Sequence, residues 1–186
     1  VSRVVLWGVV YVALLGALFV RVRTADTPLP EPVAPAPGEP VWLVRVHHAL
    51  VYAVLGGAPL EASLVGEHAA GRGAGAVLFA LGVAGYRLAG RALGAALSPL
   101  IAPRPGAPLV TGGPYRWLRH PMYLAQALIA VGAPLTLGCR WSLVPAAAAL
   151  VVLVARASVE DAALARVFPE HRRYAARTKR FVPFLY

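Results

Sequence analysis

The chain has 186 residues, of which 59% are hydrophobic, and it carries 18 Lys and Arg against 8 Asp and Glu. This is the composition of a membrane protein. The net charge of +10 suggests nucleic acid at first sight, but the basic residues flank apolar runs as cytoplasmic flanks do, so a nucleic-acid partner is excluded. A single cysteine, Cys139, excludes an intrachain disulfide; no His or Cys cluster lies near it, so it is read as a packing residue and no metal site is expected.

Residues 4–20 form the first apolar span. It is longer than the core of a signal peptide and no small-x-small cleavage site follows, so an uncleaved helix is expected. Residues 24–40, with Pro28, Pro30, Pro32, Pro35, Pro37 and Pro40, read as an extended connector. The second span, 41–60, carries Arg45, His47 and His48 close to its start. These are functional candidates or residues snorkelling to the interface, and the sequence favours neither. The third span, Gly73 to Leu93, is rich in Gly and Ala, and Gly82 and Gly85 would let helices approach closely. Arg87 and Arg91 share one face near its end. A proline-rich connector, 94–111, follows. The fourth span covers 121–138 and the fifth 141–156, joined by a tight turn at Arg140 and Trp141, with Pro134 and Pro145 as candidate kinks.

The expected fold is therefore all-α: a polytopic membrane protein of five transmembrane helices with a C-terminal cytoplasmic or interfacial helical tail. Residues 1–72 would form an N-terminal unit of two spans, and 73–186 a catalytic unit of three spans plus the tail. If the loop bearing Arg116 and Arg119 is cytoplasmic, only Arg3, Arg72 and Arg140 among the Lys and Arg lie outside. The positive-inside rule selects this orientation, with the N-terminus outside and the C-terminus inside. The Ala, Gly, Pro and Arg usage suggests a bacterial plasma membrane.

The most informative stretch is 112–123, Gly-Gly-Pro-Tyr-Arg-Trp-Leu-Arg-His-Pro-Met-Tyr. Pro114 follows a Gly-Gly turn and suits the first position of a short helix. Pro121 disfavours helical geometry at His120 and then opens the next helix. The expected product is a polar, aromatic elbow leading into a helix whose first N–H groups are free to bind an anion beside Arg119 and His120. An interfacial belt would explain Arg116 and Trp117, but not two prolines, a histidine and a tyrosine in this order.

The tail, 157–186, changes character. Ser158 and Asp161 have capping-box spacing, so a helix to about Phe168 is expected, broken by Pro169, with another running through Lys179. Its basic residues suit anionic lipid. Glu160 and Asp161 are out of place on such a surface, and Arg156 lies one turn before Glu160 on the same face.

These residues resemble the isoprenylcysteine carboxyl methyltransferase family and its phospholipid methyltransferase relatives. The family elbow, Gly-Pro-Tyr-x-x-x-Arg-His-Pro-x-Tyr, is matched at Gly113, Pro114, Tyr115, Arg119, His120, Pro121 and Tyr123. A helical hairpin follows, then a tail matched at Glu160, Leu164, Phe168, Tyr174, Arg180, Phe181 and Pro183. Asp161 replaces the family's second Glu, keeping the charge with a shorter reach; Pro169 replaces Gly and His171 replaces Tyr. The resemblance covers roughly 80–186 and implies S-adenosylmethionine as methyl donor, with S-adenosylhomocysteine as product. It implies that Tyr115, Leu118, His120, Pro121, Tyr123 and Glu160 contact this cofactor. Arg119 and Arg156 would face a lipophilic acceptor drawn from the bilayer, and His120 would serve as base for an amine acceptor.

The acceptor implied is a prenylcysteine-type or other lipid acid, with a phospholipid amine or a small thiol as alternatives. A sterol-reductase-like protein using NADPH shares Arg-His-Pro-x-Tyr, but Met122 and Gln126 stand where it would carry Asn and a carboxylate. A non-catalytic membrane scaffold is the remaining alternative.

Overall fold

The computed structural model describes residues 3–19, 35–65 and 70–181, with no description of the side chains of 3, 4 and 19. The proline-rich connector expected at 24–40 therefore lies mostly outside the described residues. Among the described residues the chain forms six α-helices: α1 (Arg3–Phe19), α2 (Val41–Leu64), α3 (Arg72–Leu93), α4 (Pro121–Leu137), α5 (Leu143–Val167) and α6 (His171–Arg177). Short 3-10 turns stand at Gly94–Ala96 and Gly113–Arg116.

Three stretches are long and apolar enough to cross a membrane: Val41–Leu64, Arg72–Ala96 and Leu143–Val167. The apolar stretches Val5–Leu18 and Pro121–Leu137 are shorter. The 17 residues of α4 reach about 25 Å at ~1.5 Å per residue, less than the ~30 Å of a hydrocarbon core. The protein is thus an all-helical membrane protein with three helices that meet the full length, where the sequence suggests five spans.

α3 and α4 run antiparallel and form the most closely packed pair. A Cβ on Gly82 would fall 2.8 Å from the backbone of Ala125 and Ile129, and one on Gly75 would fall 2.5 Å from the amide of Thr136. Gly132 of α4 meets the backbone of Phe79 in the same way. Gly85, named with Gly82 from the sequence, has an ordinary contact at 3.4 Å. Small residues let these backbones come together where lipid offers no hydrophobic drive between helices.

α1 lies on this pair through Tyr11. Its ring is 5.6 Å from that of Phe79, and its hydroxyl donates to Leu55 O of α2. Arg87 Nη1, near the end of α3, donates to Ala17 O at the end of α1, 2.8 Å away. Two carboxylates of α2 and its approach fasten loops at opposite ends of the bundle. Glu39 accepts from the amides of Ile101 and Ala102 at 2.6 and 3.1 Å, tying the 94–111 connector to the start of α2. Glu61 accepts from the amides of Arg140, Trp141 and Ser142, at 2.8, 2.9 and 2.7 Å, and from the Ser142 hydroxyl. It thereby satisfies the backbone N–H groups of the turn between α4 and α5.

Two expectations for the tail are corrected. α5 is one continuous helix of 25 residues and does not stop near 156. No helix starts at Ser158, whose hydroxyl donates to Val154 O one turn back, at 3.1 Å. The residues that follow are helix formers, and this back-bond satisfies the hydroxyl without a break. α6 ends at Arg177, short of Lys179, because the chain becomes extended at Thr178 and pairs with the elbow.

Candidate active site

The elbow is built by its two prolines. Pro114 sits in the 3-10 turn, and Pro121 occupies the first position of α4, with His120 in a non-helical conformation just before it. The tail then closes over the elbow as a short parallel bridge between Leu118 and Lys179. Lys179 N donates to Trp117 O at 3.1 Å, Arg119 N to Lys179 O at 2.7 Å, and His120 N to Arg180 O at 3.1 Å. This alters the expected anion site. The amides of Arg119 and His120 are consumed by the tail, and Tyr123 N donates to His120 O at 3.1 Å. The donors foreseen for an anion there are largely taken by backbone.

Side chains complete the closure. Asp161 lies at its centre: Oδ1 is 3.1 Å from His120 Nε2, and Oδ2 accepts from Arg180 Nε at 3.0 Å. Arg119 Nε is 3.4 Å from the same carboxylate, and His171 Nε2 is 3.6 Å from it. Asp161, whose side chain is shorter than the family's Glu, is therefore the principal carboxylate fastener of the tail. Arg119 Nη1 donates to Ala175 O and Thr178 O at 2.8 and 2.7 Å, so most of this guanidinium is directed at the tail. Tyr174 donates its hydroxyl to Tyr115 O at 2.8 Å. Burial pushes the Tyr174 hydroxyl up to about 12 and raises that of Tyr115 further, so both stay protonated donors.

Glu160 points the other way. Its Oε2 accepts from the Tyr123 hydroxyl, and its Oε1 is 4.0 Å from His120 Nδ1. Its side chain keeps 27% exposure, toward a cavity of about 470 Å³. His120 and Tyr123 stack with their rings 5.3 Å apart. Arg156 does not pair with Glu160. Its guanidinium lies over the Tyr123 ring at 5.2 Å, and its buried Nε has no hydrogen-bond partner.

The cavity is bounded on one side by Tyr115, Arg119, His120, Tyr123, Arg156 and Glu160, and on the other by the 94–111 connector that Glu39 fastens. Of the sequence candidates, those six line it directly. Leu118 and Pro121 are buried behind it and set the elbow's backbone. His47 is buried and His48 is exposed, which separates two residues the sequence could not tell apart. His48 and Gln126 also line the cavity. Sequence reading missed the connector's part, because apolar and proline residues carry no chemical signature.

A pocket with one open carboxylate, a guanidinium whose Nε lacks a hydrogen-bond partner, and stacked aromatic walls, set among apolar helices, is a candidate small-molecule site. The chain belongs to the phospholipid methyltransferase family, which it matches over residues 71–171. It is also 39% identical, over 112 residues, to the cobalt-zinc-cadmium resistance protein CzcN of Cupriavidus metallidurans. That match covers 59% of this chain and 50% of the relative, so the chain spans about half the length of the curated relative it matches.

Proposed function

We propose that the protein is a methyltransferase that takes its methyl group from S-adenosylmethionine and passes it to a lipophilic acceptor entering from the bilayer. The observation that carries this reading is the convergence of elbow and tail on one cavity, with Glu160 of the tail bonded to Tyr123 of the elbow.

The residues suit the cofactor. Its adenosine and amino-acid parts need aromatic surface, a carboxylate for hydroxyl or ammonium groups, and a volume in the ~300–1,000 Å³ range of small-molecule sites. The cavity of about 470 Å³ supplies Tyr115 and Tyr123 as aromatic surface and Glu160 as carboxylate. Pro121 and Leu118, buried outside its lining, set the backbone of the elbow that bounds it. When bound, the cofactor supplies a methyl carbon made electrophilic by its sulfonium.

The protein's own contribution is then positioning. His120, held by Asp161, fixes the elbow and sits beside both carboxylates, so it serves chiefly to orient them. Arg119, bound to the tail, keeps the cavity closed. Arg156 is the cation free to hold an acceptor oxygen, since its Nε lacks a partner. The low-dielectric walls keep water from the acceptor.

The two short helices, α1 and α4, complete a five-span bundle in this reading, which places the elbow and tail on the cytoplasmic face of a bacterial inner membrane. Residues 1–72 form its accessory part and 73–186 the catalytic part. The relative's name concerns cobalt-zinc-cadmium resistance, and that role is not carried over to this chain.

The test is to incubate membranes containing the protein with a labelled methyl donor and identify the labelled product by mass spectrometry. Transfer that Arg156→Ala abolishes without loss of cofactor binding supports the reading; no labelled product overturns it.

A further inference from the structure

Across from the elbow and tail, the cavity is walled by the connector 94–111, with Leu97, Leu100, Ile101, Ala102 and Arg104 in its lining. A proline-rich loop has few amide donors with which to fix itself. Between Pro99 and Pro103 there are three, and all are engaged. Leu100 N donates to Ser98 Oγ at 3.1 Å, inside the connector. Ile101 N and Ala102 N both donate to Glu39 Oε1, at 2.6 and 3.1 Å. The other hydrogen bonds of residues 97–111 stay within the connector. Leu97 N donates to Gly94 O and Ala107 N to Arg104 O, both at 3.2 Å, and Arg104 Nε donates to Leu97 O at 2.7 Å. Among the described residues, Glu39 is thus the outside group that ties this stretch by hydrogen bonds.

Glu39 is itself held in place. Its amide donates to Ala36 O at 2.9 Å and its Oε2 accepts from Ala36 N at 3.0 Å, closing a turn just before α2. Beside it Ile101, only 3% exposed, packs with Leu43 and Val44 in the first turn of α2. Polar and apolar anchors therefore meet at one point along the connector. Glu39 and Leu43 stand outside the cavity lining, while Ile101 and Ala102 belong to it. A carboxylate binding two adjacent amides is a stronger tie than neutral pairs are. Without it the wall rests on apolar contact alone, and a ligand's apparent affinity falls with the fraction of protein whose wall is seated.

We propose that Glu39 is a positioning residue of the donor site, latching the connector as the wall that closes over the bound cofactor. This rests on the methyltransferase reading and deepens it. It gives the first part of the chain, outside the 71–171 family match, a role in retaining the cofactor. Glu39 acts through Ile101 and Ala102 and does not touch the ligand itself.

The test uses the full chain in nanodiscs, as wild type, Glu39→Ala and Glu39→Gln. Hydrogen–deuterium exchange of the connector is followed without ligand. S-adenosylhomocysteine is titrated by calorimetry, and its association and release are timed by stopped flow. Glu39→Ala should speed exchange around Ile101 and Ala102 at least tenfold and leave the middle of α3 and α4 unchanged. It should weaken S-adenosylhomocysteine at least tenfold through faster release, with association within threefold of wild type. Glu39→Gln keeps an oxygen for both amides and should restore most of that affinity, which a merely structural role does not predict. Should Glu39→Ala fail to fold, Leu43→Ala, which loosens the apolar anchor from outside the cavity, carries the comparison. Connector exchange within twofold of wild type in the folded variant would overturn the proposal. So would faster exchange with unchanged S-adenosylhomocysteine affinity, or a Gln variant binding no more tightly than the Ala one. No S-adenosylhomocysteine binding by the wild type would instead remove the methyltransferase reading, while exchange still decides whether Glu39 holds the connector.

Discussion

Asp161 Oδ1 lies 3.1 Å from His120 Nε2, joining residues 41 positions apart in sequence. This contact fastens the tail to the elbow, with Arg180 and Arg119 gathered on the same carboxylate. Asp161→Ala removes the shared partner of these cations and leaves the buried His120 Nε2 without its hydrogen-bond partner. We predict a loss of about 2–3 kcal/mol, the scale of a charge-assisted bond left unmade. Limited proteolysis should show new cleavage around residues 168–180. A tail as resistant in the variant as in the wild type would contradict this.

The pH response of the tail follows from His171. Burial holds its imidazole below its usual value, against the opposing pull of Asp161. A histidine with a lowered folded-state pKa binds fewer protons when folded than when unfolded. Its contribution to stability is therefore fully present above the ordinary value of ~6.5 and is lost as pH falls through and below it. Tail protection from protease should drop between neutral pH and mildly acidic pH, and His171→Phe should flatten that response. An unchanged acid response in the variant would show that another group is responsible.

At the far end of the bundle, Glu61→Ala should destabilise the protein by about 1–2 kcal/mol, the scale of hydrogen bonds to a charged group lost at the partly exposed α4–α5 turn. Cofactor affinity should stay within twofold, because this turn lies at the opposite end from the cavity. Thermal unfolding in nanodiscs reads the first quantity and calorimetry the second. A large change in cofactor affinity would mean that the two ends of the bundle are coupled.

The α3–α4 contact offers a paired comparison. Gly82→Ala forces a Cβ to within 2.8 Å of the Ala125 and Ile129 backbone, whereas Gly85→Ala makes a 3.4 Å contact. Overpacking of this kind costs roughly 1–3 kcal/mol, while Gly85→Ala should be near neutral through its better helix propensity. Equal thermal midpoints for the two variants would refute the close approach at Gly82.

Much of this was legible in the residues. Apolar runs marked the helices, and two prolines with a histidine marked the elbow, because the backbone restrictions at Pro114 and Pro121 are local. Glu160 and Asp161 stood out as carboxylates in a basic tail, but their division of labour depends on how α5 presents each to the elbow. Asp161 turns toward His120 and Arg180, and Glu160 toward Tyr123 and the cavity. The continuity of α5 through Ser158 was hidden because a capping-box spacing also occurs inside helices. The close contacts of Gly75 and Gly132, the fastenings at Glu39 and Glu61, and the burial of His47 beside an exposed His48 are long-range consequences of packing, and no local pattern announces them.

The account depends on the cavity between elbow and tail being the seat of the methyl donor. Calorimetric titration of the purified protein with S-adenosylmethionine and with NADPH, in the wild type and in Glu160→Ala, addresses it most directly. The account predicts heat with S-adenosylmethionine alone and its loss in Glu160→Ala. Heat with NADPH alone, or unchanged S-adenosylmethionine affinity in Glu160→Ala, would contradict it.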